Sequence, residues 1–158
     1  MNEFLQQDIQ YVMRLDEVMW GCLLLALTLS IHGIGMYQVM RAGAALSKLS
    51  EKLNARWGMA VVVLITWMIV FIHLVEVMVW AGFYVWKGAQ PNIFSAIYNA
   101  LVNYTTLASG YLPLRWRLLE GMLGMAGLLS FAWSTTVLIM LVQRLMNRAL
   151  HWRREPSA

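Results

Sequence analysis

Three long apolar runs dominate the chain: about Val18 to Val39, Trp57 to Trp86 and Leu119 to Val142. Each reaches or exceeds the roughly 20 residues that carry a helix across a bilayer core of about 30 Å. None sustains the apolar–polar alternation of a half-buried strand, so the pattern predicts helices. A fourth apolar stretch, Ile93 to Leu107, is too short to span. Pro91 and Asn92 precede it as a helix-start signal, and Gly110 and Pro113 close it. On pattern alone it is equally a helix that dips into the membrane and returns, or one lying flat on the outer surface.

Composition moves the picture towards lipid. Of 158 residues, 60% are hydrophobic and 13% charged, where soluble domains carry about 25% charged residues. A single small core hides too little surface to bury so much apolar material. The expected fold is therefore an all-α membrane protein with three transmembrane helices. The net charge is +4. A nucleic-acid surface is not expected from it, because the charges sit between and beyond the apolar runs. Membrane lipids are the expected surroundings.

Charge placement predicts orientation. Arg41, Lys48, Lys52 and Arg56 make a short basic connection, and such connections stay cytoplasmic. Three spans then put the acidic N-terminus, with Glu3, Asp8, Asp16 and Glu17, outside and the basic tail Arg144 to Arg154 inside. Tryptophans 20, 57, 80, 86 and 116 fall near the expected interfaces. The expected host is a bacterial-type inner membrane or a plasma membrane. The first run lacks the basic lead-in of a cleavable signal and is expected to remain in the mature protein. Residues 4–15 suit a short amphipathic surface helix or a loose terminus. Cys22 is the sole cysteine, so no intramolecular disulfide is expected.

The run Tyr104-Thr105-Thr106-Leu107-Ala108-Ser109-Gly110-Tyr111 resembles the filter of potassium channels, where a Thr-Thr pair precedes Val/Leu-Gly-Tyr-Gly-Asp. Met125-Ala126-Gly127-Leu128-Leu129-Ser130-Phe131 is similar to the inner helix of that family around its hinge glycine. The resemblance covers about Trp57 to Gln143. It implies a tetramer of pore modules, each with an outer helix (57–86), a re-entrant pore helix and filter (91–111) and an inner helix (119–143). Residues 1–17 would then be an extracytoplasmic segment, 18–40 a peripheral span, 41–56 a basic cytoplasmic loop and 144–158 a basic cytoplasmic tail.

By that resemblance, Thr105, Thr106, Leu107, Ala108, Ser109 and Gly110 form the selectivity filter, whose carbonyls replace the water shell of a monovalent cation. The pore helix would end just before Thr105, with its negative end favouring a cation. Ala108 stands where the family has a glycine in a left-handed conformation, which costs a residue with a Cβ roughly 1 kcal/mol or more. Ser109 replaces the bracing tyrosine. Both changes imply weakened or altered potassium selectivity. Leu128, Phe131, Thr135, Ile139 and Val142 share one face of the third run. The resemblance makes that face the pore lining and Gly127 the hinge. Gly121, Gly124 and Gly127 also suit close helix packing.

His73 and Glu76 are ionisable residues inside the second run, three apart and so on one helix face. Such residues are functional candidates because burying them in a membrane is costly. Three readings stand. Glu76, with His73, braces the filter by accepting hydrogen bonds from donors such as Thr105 or Ser109. The pair instead binds a transition metal. Or it is a mutually satisfied pair. His32, alone in the first run, reads as a packed, hydrogen-bonded side chain. No Ser-His-Asp spacing, phosphate-binding glycine loop or cysteine pair suggests an enzyme or an organic cofactor. The leading expectation is a cation channel. A non-conducting membrane sensor on a channel scaffold and a metal-binding membrane protein are the rivals.

Overall fold

A computed structural model describes residues 15–50, 55–107 and 110–152. Among these the chain is helical and contains no strand. Helix α1 is Leu15–Ser50, α2 is Ala55–Trp86, α3 is Ile93–Tyr104 and α4 is Leu118–Trp152, with a 3-10 turn at Leu114–Trp116 before α4. Three stretches are long and apolar enough to cross a membrane: Leu15–Leu46, Gly58–Trp86 and Leu114–Arg144. All three expected spans are therefore present as helices.

The helices outrun the apolar runs. Residues 41–50 and 55–56, expected in the loop 41–56, are helical, and residues 51–54 lie outside the described residues. Arg41 and Lys48 are good helix formers and offer no stop signal. At the other end α4 continues to Trp152, through most of the predicted tail. The N-terminal segment before Leu15 and residues 153–158 lie outside the described residues.

Contacts divide the chain into two units, Met1–Ser30 with Val75–Leu129, and Ile31–Leu74 with Ser130–Ala158. The first unit packs around the fully buried Trp80, Tyr84, Tyr104, Leu119 and Leu123. Trp80 donates its indole N–H to Thr28 Oγ1 at 2.8 Å, and Thr28 passes its own proton to the Leu24 carbonyl at 2.8 Å. A buried indole needs such a partner. Glu17, also buried, accepts the Leu118 backbone N–H at 2.8 Å. An acid at a helix start satisfies an orphan donor and complements the helix dipole. Arg115 pairs with Asp16 at 3.3 Å, half-exposed on both sides, so the pair contributes little. The Lys87 ammonium lies 4.3 Å from the Trp20 ring and 3.8 Å from that of Trp86.

The second unit packs Met36, Val39, Val61, Ile65, Ile69, Val137 and Leu141. Glycines set its helix spacing. A Cβ at Gly35 would lie 2.7 Å from Ile72 Cδ1, and one at Gly43 2.8 Å from Leu141 Cδ2. In lipid, where tails are as apolar as leucine, such close packing supplies the attraction between helices.

Candidate functional site at the turn after helix α3

Helix α3 begins where the sequence places its start. Asn92 is extended, and its Oδ1 accepts the Ser95 N–H at 2.9 Å, an N-cap. The helix buries Ala96, Asn99, Ala100, Asn103 and Tyr104, spaced as one face of a helix. Ile97 is half-buried. Phe94 is 81% exposed on the lone chain. Asn103 Nδ2 contacts both the carbonyl and the Oδ1 of Asn99 at 3.0 Å, so these buried amides satisfy each other.

The helix ends at Tyr104 with Thr105 as its C-cap, where the sequence reading places it. Thr105 turns its hydroxyl back to the carbonyls of Leu101 and Val102, at 3.1 and 3.0 Å. Thr106 has φ +65°. A left-handed backbone is a genuine outlier for a β-branched residue and stores about 1–3 kcal/mol. Gly110, at φ +64°, takes the same conformation at no such cost. Ala108 and Ser109 lie outside the described residues. Leu107 is exposed.

Residues of two helices, α2 and α4, flank this turn. Glu76 of α2, fully buried, accepts a short hydrogen bond from the Tyr104 hydroxyl. Glu76 thus engages the last residue of the short helix, while Ser109, one of the donors expected for it, lies outside the described residues. Gly127 of α4 lies under the Tyr104 carbonyl, where a Cβ would collide with the oxygen. The expected hinge position is therefore also a point of close helix approach. Gly124 is in ordinary contact range of Asn103 O, at 3.5 Å for an added Cβ, and Gly121 faces open space. Glu120, in the first turn of α4, accepts Gly110 N–H at 3.1 Å and Leu112 N–H at 2.9 Å, one on each oxygen. Buried Leu112 and Trp116 complete the return.

Glu120, Tyr104 and Glu17 were not singled out from the sequence. Glu120 carried a usable signal, an acid in the first turn of a predicted helix. Each of its charge-assisted bonds is worth about 1 kcal/mol after solvent screening. Glu120→Ala is therefore expected to raise amide exchange at Gly110 and Leu112 about fivefold, and unchanged exchange at both would remove the clamp.

On the expected pore-lining face, Leu128, Phe131, Thr135 and Ile139 are exposed and Val142 is half-buried. The Thr135 hydroxyl bonds back to the Phe131 carbonyl at 2.8 Å.

In the second unit, His73 meets the residue read as an isolated packed histidine. The rings of His32 and His73 have centroids 5.3 Å apart. Ser134 Oγ lies 3.3 Å from His32 Nε2 and 3.1 Å from His73 Nε2. This polar cluster was not foreseen, because its members come from three different helices. Comparison with family models, with curated proteins and with solved structures returns no match for the chain.

Proposed function

We propose that the chain is a subunit of a homotetrameric cation channel of potassium-channel-like architecture with altered selectivity. One observation carries the reading. A short capped helix stops at Tyr104, which Glu76 of α2 and Gly127 of α4 meet; Thr105 and the left-handed Thr106 follow, and beyond them Glu120 of α4 holds Gly110 and Leu112. A strained turn so heavily braced has a purpose beyond linking two helices. In this reading α3 enters the membrane from the outside, and its negative C-terminal end favours a cation. Non-helical backbone is tolerated there because protein and a watery pore surround it.

The exposed apolar side chains agree. Phe94, Tyr98, Leu107 and Tyr111 are 81%, 61%, 74% and 67% exposed on the lone chain. Copies arranged around an axis would cover them. Monovalent cations pass from the filter at residues 105–110 along Leu128, Phe131, Thr135, Ile139 and Val142. The N-terminus is outside, and the basic residues Arg41 to Arg56 are cytoplasmic.

The test is cation flux from liposomes holding the purified chain, with the particle's mass measured in parallel. The expected results are a leak of potassium with incomplete rejection of sodium, and a particle of four chains. A tetramer without flux under any gradient or voltage would favour a non-conducting sensor on the same scaffold. A lone subunit would end the proposal.

A further inference from the structure

We propose that His32, Met36 and His73 form a binding site for one copper(I) ion within the membrane-spanning helices of the second unit. The site is independent of the channel reading. Its mark is the position of the Ser134 hydroxyl. That single oxygen lies 3.3 Å from His32 Nε2, 3.1 Å from His73 Nε2 and 3.8 Å from Met36 Sδ. Three atoms able to bind a metal thus converge on one point. His32 and Met36 are one turn apart on α1 and both fully buried. His73 comes from α2 and Ser134 from α4, so three helices shape the site.

The hydroxyl has one proton to give and two lone pairs to receive with, so it bridges the two rings and holds the imidazoles and the thioether around one point. An ion takes all three donors together. Two ligand atoms at about 2.0–2.1 Å from a shared ion lie at most about 4.2 Å apart. The nearest ring nitrogens of His32 and His73 are within 4.8 Å of each other. For the two imidazoles a small closure therefore suffices. Ser134 makes room by turning its hydroxyl to the carbonyl one helical turn back, a usual bond for a helical serine.

The donor set selects the metal. Thioether sulfur is soft and favours copper(I), and imidazole accepts it too. All three donors are neutral when they bind, with each ring proton on Nδ1, so the complex carries only the charge of the ion. A single charge is far cheaper to bury than the double charge of zinc(II). Trp133 lies 5.6 Å from the His32 ring and Phe131 4.8 Å from the His73 ring, centroid to centroid.

The experiment uses the full chain in lipid nanodiscs under anaerobic conditions. Copper(I) is titrated against a chromogenic chelator, with zinc(II) in parallel, and the bound copper is examined by X-ray absorption. The expected result is one copper(I) per chain with sulfur and nitrogen in its first shell, and no comparable zinc uptake. Met36→Leu should remove the sulfur signal. It and His73→Ala should each weaken binding by more than the roughly tenfold that losing an outer-shell partner costs. Ser134→Ala should bind at least as tightly as the unaltered chain. Three results overturn the proposal: no uptake by the unaltered chain, a first shell without sulfur, or a sulfur signal that survives Met36→Leu. If His73→Ala fails to fold, the sulfur comparison between the unaltered chain and Met36→Leu still decides.

Discussion

Gly127→Val should lower the thermal midpoint by roughly 6–12 °C, the largest loss expected from any single methyl-scale change in this chain. A Cβ at Gly127 meets the Tyr104 carbonyl oxygen and lies 2.9 Å from the carbonyl carbon and 3.3 Å from Tyr104 Cγ. Two of those three atoms are backbone, so no rotamer change relieves the contact. Forcing extra atoms into a packed site costs about 1–3 kcal/mol or more, and about 3 kcal/mol moves the midpoint of a chain this long by that interval. Removing a glycine from a helix interior returns roughly 0.5–1 kcal/mol of backbone entropy, so the steric term wins. Gly121 supplies the control. A Cβ there meets nothing within 4 Å, and Gly121→Ala should leave the midpoint unchanged or raise it slightly. The comparison also separates two roles for Gly127. A pure hinge would tolerate Gly127→Ala without loss of stability and alter only gating. A close-approach glycine loses stability even with alanine. Melting followed by tryptophan fluorescence in detergent reads both, and equal midpoints for Gly127→Val and the unaltered chain would discard the steric account.

What the sequence disclosed follows from where its signals are local. The three spans were legible because length and hydropathy decide them without reference to partners. The start of α3 was legible because Asn92 caps three residues ahead; its end before Thr105 came from the channel resemblance, since the apolar pattern itself ran on to Leu107. The excess length of α1 and α4 was not, since basic helix formers such as Arg41 and Arg148 continue a helix past the lipid without any change of pattern. Contacts across the fold were the least visible. Glu76 was a candidate because an acid in an apolar run is conspicuous, but nothing in the chain order said that Tyr104 would be its donor. His32 looked isolated because its neighbour His73 is 41 positions away. Glu17 read as part of an acidic terminus, although it is buried at the start of α4. The residues that hold the candidate site are thus the ones whose partners are distant in sequence.

Glu76 and Tyr104 should behave as one coupled unit. Glu76 is fully buried and Tyr104 is 1% exposed, and the phenol proton goes to Glu76 Oε2. Taking away one partner removes a buried hydrogen bond from the other, at about 1–3 kcal/mol for a neutral group and more for a charge. Tyr104→Phe removes a donor from a buried carboxylate and should cost about 2–3 kcal/mol. Glu76→Gln keeps an acceptor oxygen facing Tyr104 and should cost less. Glu76→Leu removes the phenol's carboxylate acceptor and falls between them. The double variant Glu76→Leu with Tyr104→Phe leaves neither group unmatched, so its loss should be smaller than the sum of the single losses by about 1–3 kcal/mol. Tyr104 is also the last residue of α3, so loosening it frees the turn at Thr105 and Thr106. Under the channel proposal, Tyr104→Phe then changes the potassium-to-sodium flux ratio more than it changes total flux, because selectivity depends on where the carbonyls sit, whereas leak needs only an opening. Additive stability losses in the cycle, with a flux ratio untouched by Tyr104→Phe, would mean that the bond merely fills a buried corner and braces nothing.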